Sequence, residues 1–371
     1  MSKEFMLGGA SRRSILQQLG AAAIGISFAG AVEGCSKAGG GGTDANTVHF
    51  LNWDTYIGET TLADFTAATH TPVKMDLFAS NDELFAKFRA GNPGYDVIVP
   101  SNEYVTRMAE AQMLMPLDKT KIPNVANLLP EFQDASFDPG RKYSMPYTWL
   151  VIGVGYRKSK MAGKVPGGVP DSWKYLLDSG IFHQKVSVLG ESADLIRIAA
   201  KYLGHSVNNI PDAMISQIEQ MLIKQKPHIL KFHSDDGQDL LVAGDVDLVM
   251  EYNGDIAQVM KDDPDLAWVI PKEGSLLNQD TLCIPAGAPH PDGAHAFINY
   301  LLDAQAGAKI AATINYATPN AAAKALMPDT YKNNTVVYPT PAELAKCEYG
   351  TFEGDARSQL YEEVFTRITA A

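Results

Sequence analysis

Val48-His49-Phe50-Leu51, the helical stretch from Thr60 to Thr69, and Val73-Lys74-Met75-Asp76-Leu77 follow one another near the start of the folded part of the chain. Short runs of apolar or alternating residues suit strands, and the longer stretch between them suits an amphipathic helix. The alternation continues. Asn81 to Ala90 carries Leu84, Phe85 and Phe88 on one helical face, and Asp96 to Val99 reads as a strand closed by Pro100. Strand, helix, strand, helix, strand is the pattern of an α/β fold. Ligands of open α/β sheets collect beyond the carboxyl ends of the strands, which singles out the loops Asn52 to Tyr56, Ser80 to Glu83 and Ser101 to Tyr104.

A second block with its own elements begins near Ile152. It holds a strand at Val186 to Leu189, helices at Ala193 to Leu203 and Asp212 to Ile223, and a strand at Asp247 to Met250. A chain of 371 residues has enough sequence for two packed cores. The apolar segments Tyr147 to Tyr156 and Leu266 to Ile270 are the expected crossings between them. No internal repeat is visible, and the one low-complexity stretch is glycine-rich, with four in a row at Gly39 to Gly42.

Upstream, residues 1 to 35 read as an export signal: Arg12 and Arg13 precede a small-residue apolar run from Gly20 to Val32. The paired arginines resemble a twin-arginine signal, and an ordinary secretory start is the alternative; both export the protein. Val32-Glu33-Gly34-Cys35 resembles a lipobox, which makes Cys35 the candidate for lipidation, although Glu33 departs from that pattern and simple cleavage nearby stands beside it. Residues 36 to 46 would then be a flexible tether. Gln17, Gln18 and Glu33 interrupt the apolar run, which argues against a transmembrane anchor.

With 31 basic and 43 acidic residues, the net charge of -12 repels phosphate backbones, so nucleic acid is a poor partner and a cation a better one. Cys283 and Cys347 lie too far apart in sequence to announce a disulfide framework or a metal site. The eight histidines are scattered, and no nucleophile elbow, phosphate-cradling loop or paired-histidine zinc motif occurs. Neither a cofactor nor a metal is expected.

Several segments carry a family resemblance in their order along the chain: Asn52-Trp53-Asp54-Thr55-Tyr56, Ser80-Asn81-Asp82-Glu83, Tyr95 to Ser101, Met145-Pro146-Tyr147, Pro271-Lys272-Glu273-Gly274, and Thr318-Pro319-Asn320 after Tyr316. On these the chain resembles the spermidine/putrescine-binding proteins of bacterial ABC importers. The resemblance implies a type II periplasmic-binding fold of two α/β lobes with the ligand in the cleft between them. It places the first lobe at 46–151 plus 277–325 and the second at 152–276 plus 326–371. It also implies a monomer that hands its ligand to an ABC permease and acts outside the cytoplasm, in the periplasm, with membrane contact only through a lipid on Cys35.

A polyamine is a methylene chain with ammonium groups at intervals, so its cleft needs spaced carboxylates and flat apolar walls. The family's walls fall on Trp53, Tyr56, Tyr252 and Tyr316, with a core or packing role as the alternative for Trp53 and Tyr316. The resemblance puts Asp280 on the ammonium-binding aspartate and Ser101 on a polar contact. Glu191 and Asp194 open a helix just after a strand, where they either bind the ligand or serve the helix N-terminus. If they bind, acids from both lobes clamp the dication and favour closure. Glu103 either reads a further ammonium or faces water, and Asp54, Glu251 and Asp255 carry the same ambiguity. Asn278 stands where several relatives place an aromatic, which points away from a spermidine-like grip and toward a shorter or differently shaped amine.

Two other functions fit less well. A binder of another organic amine such as agmatine would differ only in pocket detail. An exported hydrolase would use Asp280 with Glu191 or Asp194 as acid and base, without a nucleophile or metal signature to support it.

Overall fold

The computed structural model describes residues 46–371 apart from Asp235, so the export segment, Cys35 and residues 36–45 of the tether lie outside the described residues. The alternation read from the first hundred residues is present. Strand β1 (Val48–Asn52) pairs in parallel with β2 (Val73–Leu77) and with β3 (Val97–Ile98), and helices Thr61–Thr69 and Asn81–Phe88 connect them. The second helix is fixed at its start by chemistry local to the sequence. Ser80 accepts a hydrogen bond from the Glu83 amide at 3.1 Å, and Glu83 reaches back to the Ala79 amide at 2.9 Å.

Strand β4 (Ser144–Arg157) is long enough to serve two parts of the sheet. Its first half, Ser144 to Val151, runs antiparallel to β9 (Leu276–Cys283), and β9 meets β3 at Cys283. Its second half, from Ile152 onward, lies between β7 (Leu248–Tyr252) and β8 (Leu266–Val269). Beyond β7 stand β5 (Val186–Leu189) and β6 (Ile229–His233), all three in parallel register. The full order is β2-β1-β3-β9-β4-β7-β5-β6, with β8 on β4 and a short β10 (Glu348–Tyr349) on β9.

Hydrophobic side chains gather on either side of the β4–β9 crossing. Val48, Phe50, Val97, Met145, Leu150, Leu282, Phe297 and Ile310 belong to one buried core. Ile152, Val154, Val188, Leu195, Ile198, Leu248 and Met250 belong to another, closed by Tyr361, Val364 and Ile368 of the last helix, Asp355–Ala370.

One expectation needs correction. Leu266 to Ile270 is not the return crossing; Leu266–Val269 lies beside Val154–Arg157, in the same half of the sheet, and the return runs through Leu276–Cys283. The physical reason is the make-up of β9. Asn278, Gln279, Asp280 and Thr281 are all buried, so its polar sequence hides a central strand. Their polar atoms are paired instead: the Gln279 amide donates to Asn102 at 3.0 Å, and Gln279 accepts from Arg141 at 2.8 Å.

Gly153, in the crossing strand, lies under the Trp268 indole, where an added Cβ would sit 2.3 Å from two ring carbons. Trp268 is itself held by an indole N–H bond to the Glu251 carbonyl at 3.2 Å, so the ring has little room to retreat. Gly153→Ala is therefore expected to destabilise the fold by about 1–3 kcal/mol, as overpacking does. Urea unfolding measures this, and an unchanged midpoint would count against a rigid crossing.

Candidate functional site

Strand ends and the crossing strand deliver the candidate residues to one place. β1 ends at Asn52, and the chain turns at once through Trp53, Asp54 and Tyr56. Ser101 follows β3 and bridges to Asp280 of β9. Tyr252 ends β7, and Asp255 sits in the first turn of the helix that follows, Asn253–Val259. Tyr316 comes just after the helix Ala304–Ile314, whose end is set by Asn315 in the left-handed region. Together with Leu150 and Asn278, these residues line one narrow cavity.

Asp280 is a buried acid of the lining, and both of its oxygens are engaged. Tyr56 donates its hydroxyl to one at 2.7 Å and Ser101 to the other at 2.6 Å. Ser101 is positioned in turn by Asn81, through a bond from its own amide at 3.1 Å and one accepted by its hydroxyl at 3.0 Å. Burial pushes the Asp280 carboxyl up to about 6, although the two donated hydrogen bonds pull the other way. A second tyrosine–aspartate pair stands nearby: Tyr316 donates to Asp255 at 2.5 Å. Tyr56 and Tyr316 meet edge to face, with ring centroids 4.9 Å apart. Burial, followed by the neighbouring carboxylates, holds both phenols well above their ordinary value, so they remain hydrogen-bond donors.

Trp53 forms a fixed wall. Its indole N–H donates to the Val99 carbonyl at 2.9 Å, and its ring packs on Phe78 at 4.2 Å. Asp54, at the open side, accepts from the Thr55 amide at 2.8 Å. β4 closes the floor with alternate residues. Thr148 bonds the Tyr56 hydroxyl and Leu150 lines the cavity, while Trp149 points the other way, onto Phe132 and Tyr338.

Four of the acids singled out in sequence lie outside this lining. Asp194 is behind the wall: it accepts from the Tyr252 hydroxyl at 3.2 Å and from the Asn278 amide group at 3.4 Å. Burial raises its carboxyl to about 6, opposed by the charge of Arg197. Glu191 accepts from the Asn81 amide at 2.9 Å, at the start of the helix Asn81–Phe88. Burial, with the nearby charges of Asp82 and Asp194, raises it well above the ordinary glutamate value. Glu103 is paired with the buried Arg197, which also donates to the Thr351 carbonyl at 2.6 Å. That guanidinium is the cation facing it here. Glu251 is likewise turned inward, 3.1 Å from His233 and 1% exposed.

Sequence reasoning did not pick out Leu150, Thr148 or Asn81. The first two sit at alternate positions of an apolar run already marked as a crossing, and that period of two was the available signal. Asn81 lies within a motif already noted, but its role depends on a partner 20 residues away. Among the described residues, no group of three or more His, Cys, Asp or Glu side chains is arranged to hold a metal ion, and no helix is long and apolar enough to cross a membrane.

A slot with two phenol-backed aspartates and an indole wall has the chemistry to hold an elongated organic cation. The known proteins it resembles are consistent in kind. The chain is 32% identical over 328 residues to the spermidine/putrescine-binding periplasmic protein 1 of Haemophilus influenzae, covering 88% of this chain and 89% of that protein. It is 33% identical to the putrescine-binding periplasmic protein PotF of Escherichia coli K12, covering 85% and 90%. Among solved structures, a candidate spermidine/putrescine ABC transporter from Listeria monocytogenes matches with a TM-score of 0.83 and 31% identity, over 87% of this chain and 99% of that one. These relatives share the fold of periplasmic binding proteins, two α/β lobes about a central cleft. Residues 60–338 match the family model described as bacterial extracellular solute-binding protein, and the chain belongs to that family.

Proposed function

We propose that this chain is the extracytoplasmic binding protein of an ABC importer and that it captures a polyamine, putrescine or spermidine, in the Trp53–Asp280 cavity. One observation carries the reading: two aspartates, each held by a tyrosine hydroxyl, line a single aromatic slot. An ammonium leaves water only where a carboxylate and further acceptors replace its hydration, and a ring face adds about 0.5–2 kcal/mol of cation–π attraction. In this reading Asp280 and Asp255 take ammonium groups, Trp53, Tyr56, Tyr252 and Tyr316 cover the methylenes, and Ser101 orients Asp280. Asp54 meets the ligand at the mouth, and Asp194 acts through Tyr252 and Asn278.

The partition of buried side chains on either side of the β4–β9 crossing supports lobes at 46–151 plus 277–325 and at 152–276 plus the last helix. Met327, Tyr331 and Val337 pack with Ala257, Ala311 and Ala317, so that segment draws on both. The same reading has the protein exported to the periplasm, tethered through Cys35, monomeric, and docking on a permease. In this reading the protein is a binder and not an enzyme, and Ser101 serves to hold the Asp280 carboxylate.

Calorimetric titration of putrescine, spermidine, agmatine and basic amino acids into the mature domain tests this. Saturable binding of at least one polyamine is expected, while a chemically altered product would point to a hydrolase. Asp280→Asn is expected to weaken binding by at least about a hundredfold, because it leaves a buried ammonium without its charge partner. Trp53→Ala is expected to cost about tenfold or more through the lost ring face.

Binding also depends on pH with a definite sign. The amine needs the ionised carboxylate, and in the free protein Asp280 takes up its proton near 6. Affinity is therefore full above that value and falls as pH drops through it, approaching about tenfold per unit well below. Titrations at pH 5, 6 and 7.5 measure the slope, and proton release near pH 6 is read by repeating them in buffers of different ionisation enthalpy. A flat profile would remove Asp280 from the ammonium contact.

A further inference from the structure

We propose that Gly254 is a positioning residue for this slot: its bare Cα lets the Tyr316 ring lie against the start of the helix Asn253–Val259, and that contact sets where the aromatic wall stands. The consequence for affinity rests on the polyamine reading above, whereas the geometric part does not.

A Cβ at position 254 would fall 2.4 Å from Cγ and Cδ2 of Tyr316 and 2.5 Å from Cδ1. All three atoms belong to one ring face, so the glycine packs flat beneath the phenol. Carbon atoms reach optimal contact near 3.5 Å, so a methyl group forces the ring to move by about 1 Å. The backbone gives no other reason for glycine. Gly254 is not among the glycines with positive φ, and its helical position is one where alanine is otherwise the better residue. The requirement comes from the close approach of the ring.

The ring has little freedom to adjust. Its hydroxyl is tied to Asp255 at 2.5 Å, and the main-chain carbonyl of Tyr316 accepts from the Tyr331 hydroxyl at 2.5 Å. Both ends of the residue are thereby held, and the Tyr56 ring stands edge-on at 4.9 Å. Any displacement of the phenol alters its packing on Tyr56, which holds Asp280 through its own hydroxyl. The shift therefore reaches both tyrosine–aspartate pairs, although residue 254 touches no ligand itself.

Two measurements test this: the ligand-free crystal structure of Gly254→Ala, and calorimetric titration of putrescine and spermidine into wild type, Gly254→Ala, Tyr316→Ala and the double variant. The Tyr316 ring is expected to be displaced by about 1 Å in Gly254→Ala, with affinity at least tenfold weaker. In the Tyr316→Ala background, the added alanine is expected to change affinity less than twofold. A ring found in its original place, or an equal loss with and without Tyr316, overturns the proposal. If Gly254→Ala fails to fold, removing the ring restores the room, so a double variant that also fails to fold overturns it too. If wild type binds neither amine, the polyamine reading falls, and the ligand-free structure still decides the positioning claim.

Discussion

Asp280 carries its carboxyl group in the middle of β9, a strand flanked by β3 and β4 and closed over by the Tyr56 and Tyr316 rings. A carboxylate in such a place is tolerable only if donors replace the water it has lost. Tyr56 and Ser101 supply two, and the remaining deficit shows in a carboxyl pushed up from the ordinary 3.8 to about 6. The sign of the linkage follows: the folded chain holds this proton more tightly than the unfolded one, so stability is lost as pH rises from the ordinary value through about 6. In our reading a bound ammonium returns what ionisation takes away, and the same strain that weakens the free fold favours the ligand.

The architecture around Asp280 keeps that deficit in place. The carboxylate sits where the two halves of the sheet meet, because β4 is long enough to pair with β9 along one half and with β7 and β8 along the other. Residues that follow β1, β3 and β7 then line the same cavity beside the crossing. Other half-buried acids close to this junction have different partners. Glu103 neutralises Arg197, Glu191 meets a helix N-terminus, and Asp194 braces Tyr252 and Asn278. Each has a partner of its own, and the lining is left to Asp280, Asp255 and Asp54.

Much of this was legible in the chain. Val48 to Val99 alternates between apolar strands and amphipathic helices strongly enough to fix element type and order, because burial of one face imposes a period. The loop residues Trp53, Tyr56 and Ser101 stood out because strand ends in α/β sheets face ligands. Periodicity did not reveal β9 as the return crossing, although the lobe boundary implied by the resemblance, 276/277, falls within it. Its buried side chains are amides, an aspartate and a threonine, which resemble a surface loop until their partners are known. β10, two residues long, gives no periodic signal at all.

The sequence by itself determined the α/β order, the acidic balance and the family, since these depend on local periodicity, composition and ordered motifs. Only the tertiary structure decided which acids face the slot. Glu103 and Asp255 are each one acid in the first turn of a helix, yet one meets Arg197 94 residues away and the other a phenol 61 residues away. The role of a carboxylate is set by what replaces its water, and that partner is brought to it by the packing of distant elements.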